Sequence, residues 1–151
     1  MEEHAMTAAP RPPAARKQDT LDRLDKDVDA WVSTASLDGT PYLMPLSFLW
    51  TDGTLLLSTT RTNPTARNLV ANPQVQLTLG GVRDVIHVTG TVEVVEATDA
   101  EGAAFAAKAG FDPRPLPTYP FFRVTPTKIQ AWREVNELKD RVLMEDGRWL
   151  V

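Results

Sequence analysis

Apolar and polar residues alternate over short runs of this chain, and Gly-bearing turns separate the runs. That is the period-two pattern of half-buried strands. VDAWVSTASL (Val28–Leu37) is rich in β-formers and ends at Asp38-Gly39. Such a dipeptide suits a tight hairpin, because both central positions of a type I′ turn need positive φ. PYLMPLSFLW (Pro41–Trp50) runs back to Asp52-Gly53, a second such turn, and TLLLSTT (Thr54–Thr60) is the next strand. QVQLTLG (Gln74–Gly80) turns at Gly80-Gly81. DVIHVTGTVEVVE (Asp84–Glu96) is the longest run, with Ile86, Val88, Val92 and Val94 on one face and His87, Thr89, Thr91 and Glu93 on the other. FFRVTPTKIQAWR follows, and DRVLMEDGRWLV closes the chain with Asp146-Gly147 turning a last hairpin.

Helical signals are few. Asp19 or Thr20 can cap a short helix carrying Leu21, Leu24 and Val28. Asn63 and Pro64 open Pro64–Ala71, with proline at the first helical position. Thr98 and Glu101 form a capping-box pattern ahead of a helix that stops at Gly110. The stretch from Met1 to about Gln18, rich in Ala, Pro and charge, reads as a flexible tail, leaving 19–151 as the domain. The expected fold is mainly β: a closed or nearly closed antiparallel barrel of about six or seven strands with two or three short helices. There is no βαβ rhythm and no G-x-G-x-x-G, which argues against a Rossmann fold.

Composition narrows the chemistry. The 151 residues include no cysteine, so disulfides, thiol catalysis and Cys-based metal sites are excluded. Net charge is −4, and the acidic body lacks the basic face that nucleic-acid binding needs. No apolar run approaches the ~20 residues of a membrane span. No signal-peptide pattern opens the chain, so a cytoplasmic location is expected. His4 and His87 are the two histidines, too few for a His-rich metal site.

The candidate chemistry centres on LLLSTTRTNPTARNL (Leu55–Leu69), where a buried strand runs into a turn dense in hydroxyls. The helix start at Asn63–Ala66 offers free N–H groups and a positive dipole end. Arg61 and Arg67 lie close by, and Ser58, Thr59, Thr60, Thr62 and Thr65 offer hydroxyls. The set makes a phosphate cradle possible. It lacks the glycines of a nucleoside-triphosphate loop. An ordinary strand-to-helix turn reads the same way.

The order DGTPYLMPLSFLW, DGTLLLST, ARNLVANPQVQLTLG, VIHVTGTVEVVE resembles the pyridoxamine 5′-phosphate oxidase-like, FMN-binding split-barrel superfamily, which includes the F420-dependent reductases. The resemblance runs from about Val28 to Val151. It implies a split antiparallel barrel, a homodimer, and a flavin-type cofactor in a groove between subunits: FMN first, F420 as the rival. It further implies that Met44, Pro45, Leu46 and Ser47 run along the ring, with backbone N–H groups there stabilising negative charge on the reduced ring. Ser58, Thr59 and Arg61 would stand near the ribityl chain and phosphate. Thr65 stands where the family commonly has a phosphate-gripping lysine, so Arg61 or Arg67 is the substitute. WREVNELKDR matches the segment in which a tryptophan and an arginine, here Trp132 and Arg141, reach the flavin from the partner subunit. Glu137 and Lys139 occupy the places of the oxidase's substrate-phosphate ligands, and a carboxylate there argues against pyridoxamine 5′-phosphate as substrate.

The functional expectation is hydride transfer to or from a small molecule. The alternatives are a non-catalytic protein that sequesters a flavin, haem or other planar ligand, and a barrel with no cofactor. His87 is expected as a half-exposed strand histidine. Glu134, Glu137, Lys139, Asp140 and Arg141 are expected as a solvated charge cluster.

Overall fold

The computed structural model describes residues 9–151. Helix α1 (Pro13–Lys26) leads into β1 (Asp29–Ala35), β2 (Pro41–Ser47), β3 (Leu49–Thr51) and β4 (Thr54–Ser58). Helix α2 (Pro64–Ala71), β5 (Gln74–Leu79), β6 (Val85–Val95), α3 (Asp99–Ala109) and β7 (Phe121–Trp132) follow. The chain ends in a 3₁₀ turn (Val135–Glu137), β8 (Val142–Glu145) and β9 (Arg148–Trp149). The sheet order is β2-β1-β5-β6-β7-β4-β3, with β8 between β7 and β9. Every pairing is antiparallel. The result is a mainly β antiparallel barrel with three helices, as the strand pattern predicts, and it is split, as the family resemblance implies.

Three details differ from expectation. Strands number nine among the described residues, because Pro41–Trp50 divides at Phe48 and the final hairpin supplies two. Helix α1 starts at Pro13, inside the stretch expected as a tail, while Met1–Ala8 lie outside the described residues. Asp52-Gly53 and Asp146-Gly147 have positive φ at both residues, as type I′ turns require. Asp38 does not; only Gly39 does. The Asp38 carboxylate instead accepts hydrogen bonds from the Ser36 hydroxyl and from the N–H and hydroxyl of Thr40, which fixes a wider turn. These bonds hold its pKa below the usual carboxylate range.

The run Leu55-Leu56-Leu57 shows how the layers form. Leu55 and Leu57 face the barrel interior with Val32, Leu77, Val88 and Ile129. Leu56 points the other way and packs with Phe105 of α3 and Phe121. The two phenyl rings meet edge-on with centroids 5.5 Å apart. All three leucines are therefore buried, and β4 reads as a continuous apolar run instead of an alternating one. On β6 the inward residues Ile86, Val88 and Val92 are buried as expected. Val94 shares their parity but is 56% exposed, because β5 stops opposite Thr91 and leaves that end covered by β7 alone. No helix among the described residues is long and apolar enough to cross a membrane.

Candidate functional site

Strand β2 is an edge of the sheet, hydrogen-bonded only to β1. The Phe48 N–H donates to Val28 O at 2.9 Å, which sets the phase of the ladder. Antiparallel pairing alternates, so the even-numbered residues Tyr42, Met44 and Leu46 turn their N–H groups to β1. The odd-numbered residues turn theirs to the open edge, where Pro41 and Pro45 have none to offer. This corrects the expectation of a run of ring-facing amides from Met44 to Ser47: Leu43 and Ser47 alone present theirs. The same two prolines keep another strand from adding to this edge.

Beside this edge lies a cleft of about 500 Å³. Pro45, Leu46 and Ser47 of β2 form one wall. Ser58, Thr59 and Thr60, where β4 ends, form a second with Asn63. Phe105 and Ala109 of α3, with Phe111 and Tyr119 of the Pro-rich crossover, form the third. The rings of Phe111 and Tyr119 meet edge-on at 5.1 Å. Asp29 completes the lining and accepts from the Ser47 hydroxyl at 2.7 Å. The cleft thus has an aromatic side and a hydroxyl-rich side.

Hydrogen bonds stitch the turn after β4 to the crossover. The Ser58 hydroxyl donates to Pro120 O at 2.9 Å, the Arg61 N–H donates to Thr118 O at 2.9 Å, and the Arg61 guanidinium donates to Pro117 O. Ser58 therefore faces a ligand as an acceptor. Asn63 does not cap α2 with its side chain; its Nδ2 donates to Thr59 Oγ1 at 2.7 Å. With proline at the first helical position, the first-turn amides of α2 keep no side-chain cap.

The structure brings together Pro45, Leu46, Ser47, Ser58 and Thr59 from the sequence-predicted set. Met44 is 38% exposed and lies outside the lining. Arg61 sits exposed at the rim, held to the crossover. Thr65 is 2% exposed and lines no part of the cleft. Arg67 projects to solvent. Trp132 and Arg141 lie apart from this cleft within the chain, at the far end of β7 and beside β8.

Sequence reading missed Asn63, Phe111 and Tyr119 as lining residues. In the sequence Asn63 reads as a helix cap, and the crossover FDPRPLPTYP carries no periodicity that would aim its two rings.

The outer face of the sheet carries a second polar arrangement. Pro45, Trp31, Thr78, His87, Gln130 and Val142 lie in one row across five pairings' width, from β2 to β8. Gln130 Nε2 lies 3.3 Å from His87 Nδ1, and Arg141 Nε donates to Gln130 Oε1 at 3.2 Å. Burial, with the nearby Lys128 charge, lowers the His87 pKa and favours the neutral ring.

The expected charge cluster near the C-terminus is not uniformly solvated. Glu137 is 2% exposed and is paired with Arg11 at 2.7 Å. Its carboxylate also accepts the backbone N–H groups of Arg11 and Arg133. The Arg11 side-chain bond, helped by those backbone bonds, holds its pKa down at about 2. Glu137 is committed to this pair, so the repulsion argument against a substrate phosphate loses its basis. Among the described residues no group of three or more His, Cys, Asp or Glu is placed to hold a metal ion.

The sheet path runs from β2 to β3 with no pairing that closes it, so the barrel is split, with the cleft beside the β2 edge, and the class of fold is a split β-barrel. The chain belongs to the pyridoxamine 5′-phosphate oxidase family, whose model matches residues 20–133. No curated protein of related sequence matches it. Among solved structures it is similar to an F420 reductase, at 23% identity over 72% of this chain and 93% of that one, with TM-score 0.60. It is also similar to a haem-binding protein from Mycobacterium smegmatis, at 15% identity over 91% of this chain and 59% of that one, with TM-score 0.68. An FAD-binding protein from Mesorhizobium loti matches at 18% identity over 75% of this chain and 89% of that one, with TM-score 0.60. At these identities the likenesses are of fold.

Proposed function

We propose that this protein is a homodimeric oxidoreductase that binds a flavin-type cofactor, FMN before F420, and exchanges hydride with a small molecule. The observation that carries the reading is the cleft itself: β2, the hydroxyl-rich end of β4 and an aromatic wall meet around about 500 Å³ at the split edge. When bound, the cofactor supplies the hydride chemistry. The chain's own part is to hold and orient it. Leu46, Phe111 and Tyr119 offer apolar surface to a ring, and Thr59, Thr60 and Asn63 offer polar partners to a polyol chain. Arg61 at the rim and the uncapped amides of α2 are the partners for a phosphate. Leu43 and Ser47 are the edge amides open to a ring heteroatom.

A second reading, binding without turnover, has support in the lining. Asp29 and Tyr119 are its only titratable side chains among the described residues, and no acid–base couple stands there. Relatives by fold include both reductases and haem binders.

Titration of the purified full chain with FMN, F420, riboflavin and haem tests both readings. Arg61→Ala should weaken FMN binding about ten- to hundredfold, the loss of a charge-assisted hydrogen bond, and leave riboflavin nearly unchanged. Equal effects on FMN and riboflavin would make the turn structural only. Tight binding of haem alone would establish the sequestering reading.

A further inference from the structure

Between Trp132 and Arg141 the chain leaves the sheet and returns. The Ala131 N–H donates to Arg141 O at 3.0 Å and closes the base of this excursion. Inside it the 3₁₀ turn is the only regular structure. A loop of this kind has no ladder to satisfy its inward backbone groups, and each one left unpaired costs stability. Two side-chain systems from the opposite end of the chain meet them.

The first is Arg16 of α1, which is 1% exposed. Its Nη1 donates toward the carbonyls of Glu137 at 2.9 Å, Asp140 at 3.1 Å and Ala131 at 3.2 Å. The second is the pair of Arg11 and Glu137. Arg11 Nε and Nη2 grip the two carboxylate oxygens at 2.9 and 2.7 Å, and the Arg133 N–H joins them at 2.8 Å. The loop is therefore folded around one guanidinium that collects its carbonyls and one carboxylate of its own, Glu137, that holds the Arg133 N–H and anchors to Arg11. Its geometry reaches Arg141 directly, because Arg141 Nη1 donates to Leu138 O, within the loop, at 2.8 Å.

We infer that Arg16 and the Arg11–Glu137 pair are positioning residues for the ligand. They fix the loop 133–140, and through it the orientation of its two flanking residues, Trp132 and Arg141. The inference rests on the cofactor reading, extended by the family resemblance, which implies that those two flanking residues reach the ligand from the partner subunit. Neither Arg11 nor Arg16 lines the candidate cleft, so an effect on binding has to pass through the loop.

Arg16→Lys keeps the charge, but its side chain is one bond too short to place the ammonium where Nη1 now lies, and it loses the second nitrogen, Nη2, that donates to Arg11 O at 3.3 Å. In the full-length protein it should weaken binding of FMN, or of F420 if that is the cofactor, at least tenfold. It should raise amide exchange in 133–140 at least tenfold while exchange in β5 and β6 stays unchanged. Combined with Arg141→Ala, it should add little to the loss that Arg141→Ala causes alone. A merely stabilising role would not produce that non-additivity. Should Arg16→Lys fail to fold, Glu137→Gln is measured in the same way, since it retains an acceptor for the Arg133 N–H. Unchanged cofactor binding, or strict additivity with Arg141→Ala, overturns the inference while the cofactor reading stands. Wild-type protein that binds neither FMN nor F420 overturns the reading, and the inference with it.

Discussion

The Nε2 atom of His87 lies 2.6 Å from Oε1 of Gln76 on the neighbouring strand. The amide oxygen can only accept, so His87 donates from Nε2 and its Nδ1 carries the lone pair. That lone pair faces the Gln130 amide, which in turn faces Arg141. The direction of every bond in the row is thereby set: Arg141 to Gln130, Gln130 to His87, His87 to Gln76. A second proton on His87 would oppose two donors at Nδ1 and would have to turn the Gln130 amide over.

His87 should therefore titrate below the ordinary histidine value. With the folded pKa depressed, the unfolded chain binds more protons just below pH 6.5. Stability should rise with pH through that window and flatten above it. Urea unfolding between pH 5 and 7.5 checks this, with His87→Gln as the comparison. An NMR titration that places the His87 pKa above 6.5 would sink the argument.

Glu137 should make the protein acid-sensitive over a lower range. Its pKa of about 2 in the fold lies below the ordinary 4.5, so its contribution is complete above pH 4.5 and is lost as pH falls toward 2. Glu137→Gln should cost about 3 kcal/mol at pH 7, on the order of the free energy of that shift, and little at pH 2. The difference in denaturation midpoint between wild type and variant, followed against pH, measures it.

Gly90 marks the irregularity in the β6–β7 pairing between Thr89 and Gly90. A methyl group there would come within 2.6 Å of Thr125 O and 2.8 Å of Val124 Cγ1. One of these atoms belongs to the backbone of β7 and cannot swing away. Gly90→Ala should destabilise the barrel by about 1–3 kcal/mol or more. Gly81→Ala, with no atom within 4 Å of the new carbon, is the control and should be near neutral in thermal melts.

Trp31 is 51% exposed and Leu43 56% exposed on the outer face, beside Pro45 in the adjoining row positions. So large an apolar exposure on a sheet face fits a surface covered by a second subunit. Light scattering should give about twice the 16.7 kDa chain mass for wild type. Trp31→Asp should shift it toward a monomer, raising the dimer dissociation constant by at least about thirtyfold if the ring is a buried anchor. A wild-type monomer at micromolar concentration would refute the shared groove.

Local chemistry made much of this fold legible in the residue order. The capping box of Thr98 and Glu101 acts within three residues and opens α3 as expected, and Gly110 ends it in the left-handed conformation. Asp52-Gly53 and Asp146-Gly147 set their turns by φ preference alone. The alternation of β5 and of the first part of β6 declared their inner faces, because the side-chain period of a strand is independent of its partners. The hydroxyl-rich end of β4 and Pro45–Ser47 of β2 were legible as one site only through resemblance to a family, since the residues between them carry no sign that the two segments meet. Where a side chain finds its partner far along the chain, tertiary structure alone decided. Arg16 sits in a stretch whose composition suggests a tail, yet it is buried because carbonyls at 131, 137 and 140 converge on it. Glu137 looks like one member of a surface charge cluster, and its burial depends on an arginine 126 positions earlier. Phe111 and Tyr119 become a wall of the cleft only when the crossover is stitched to Ser58 and Arg61. Local propensity records what a segment prefers by itself, whereas a cleft or a buried ion pair is a property of segments that meet in space.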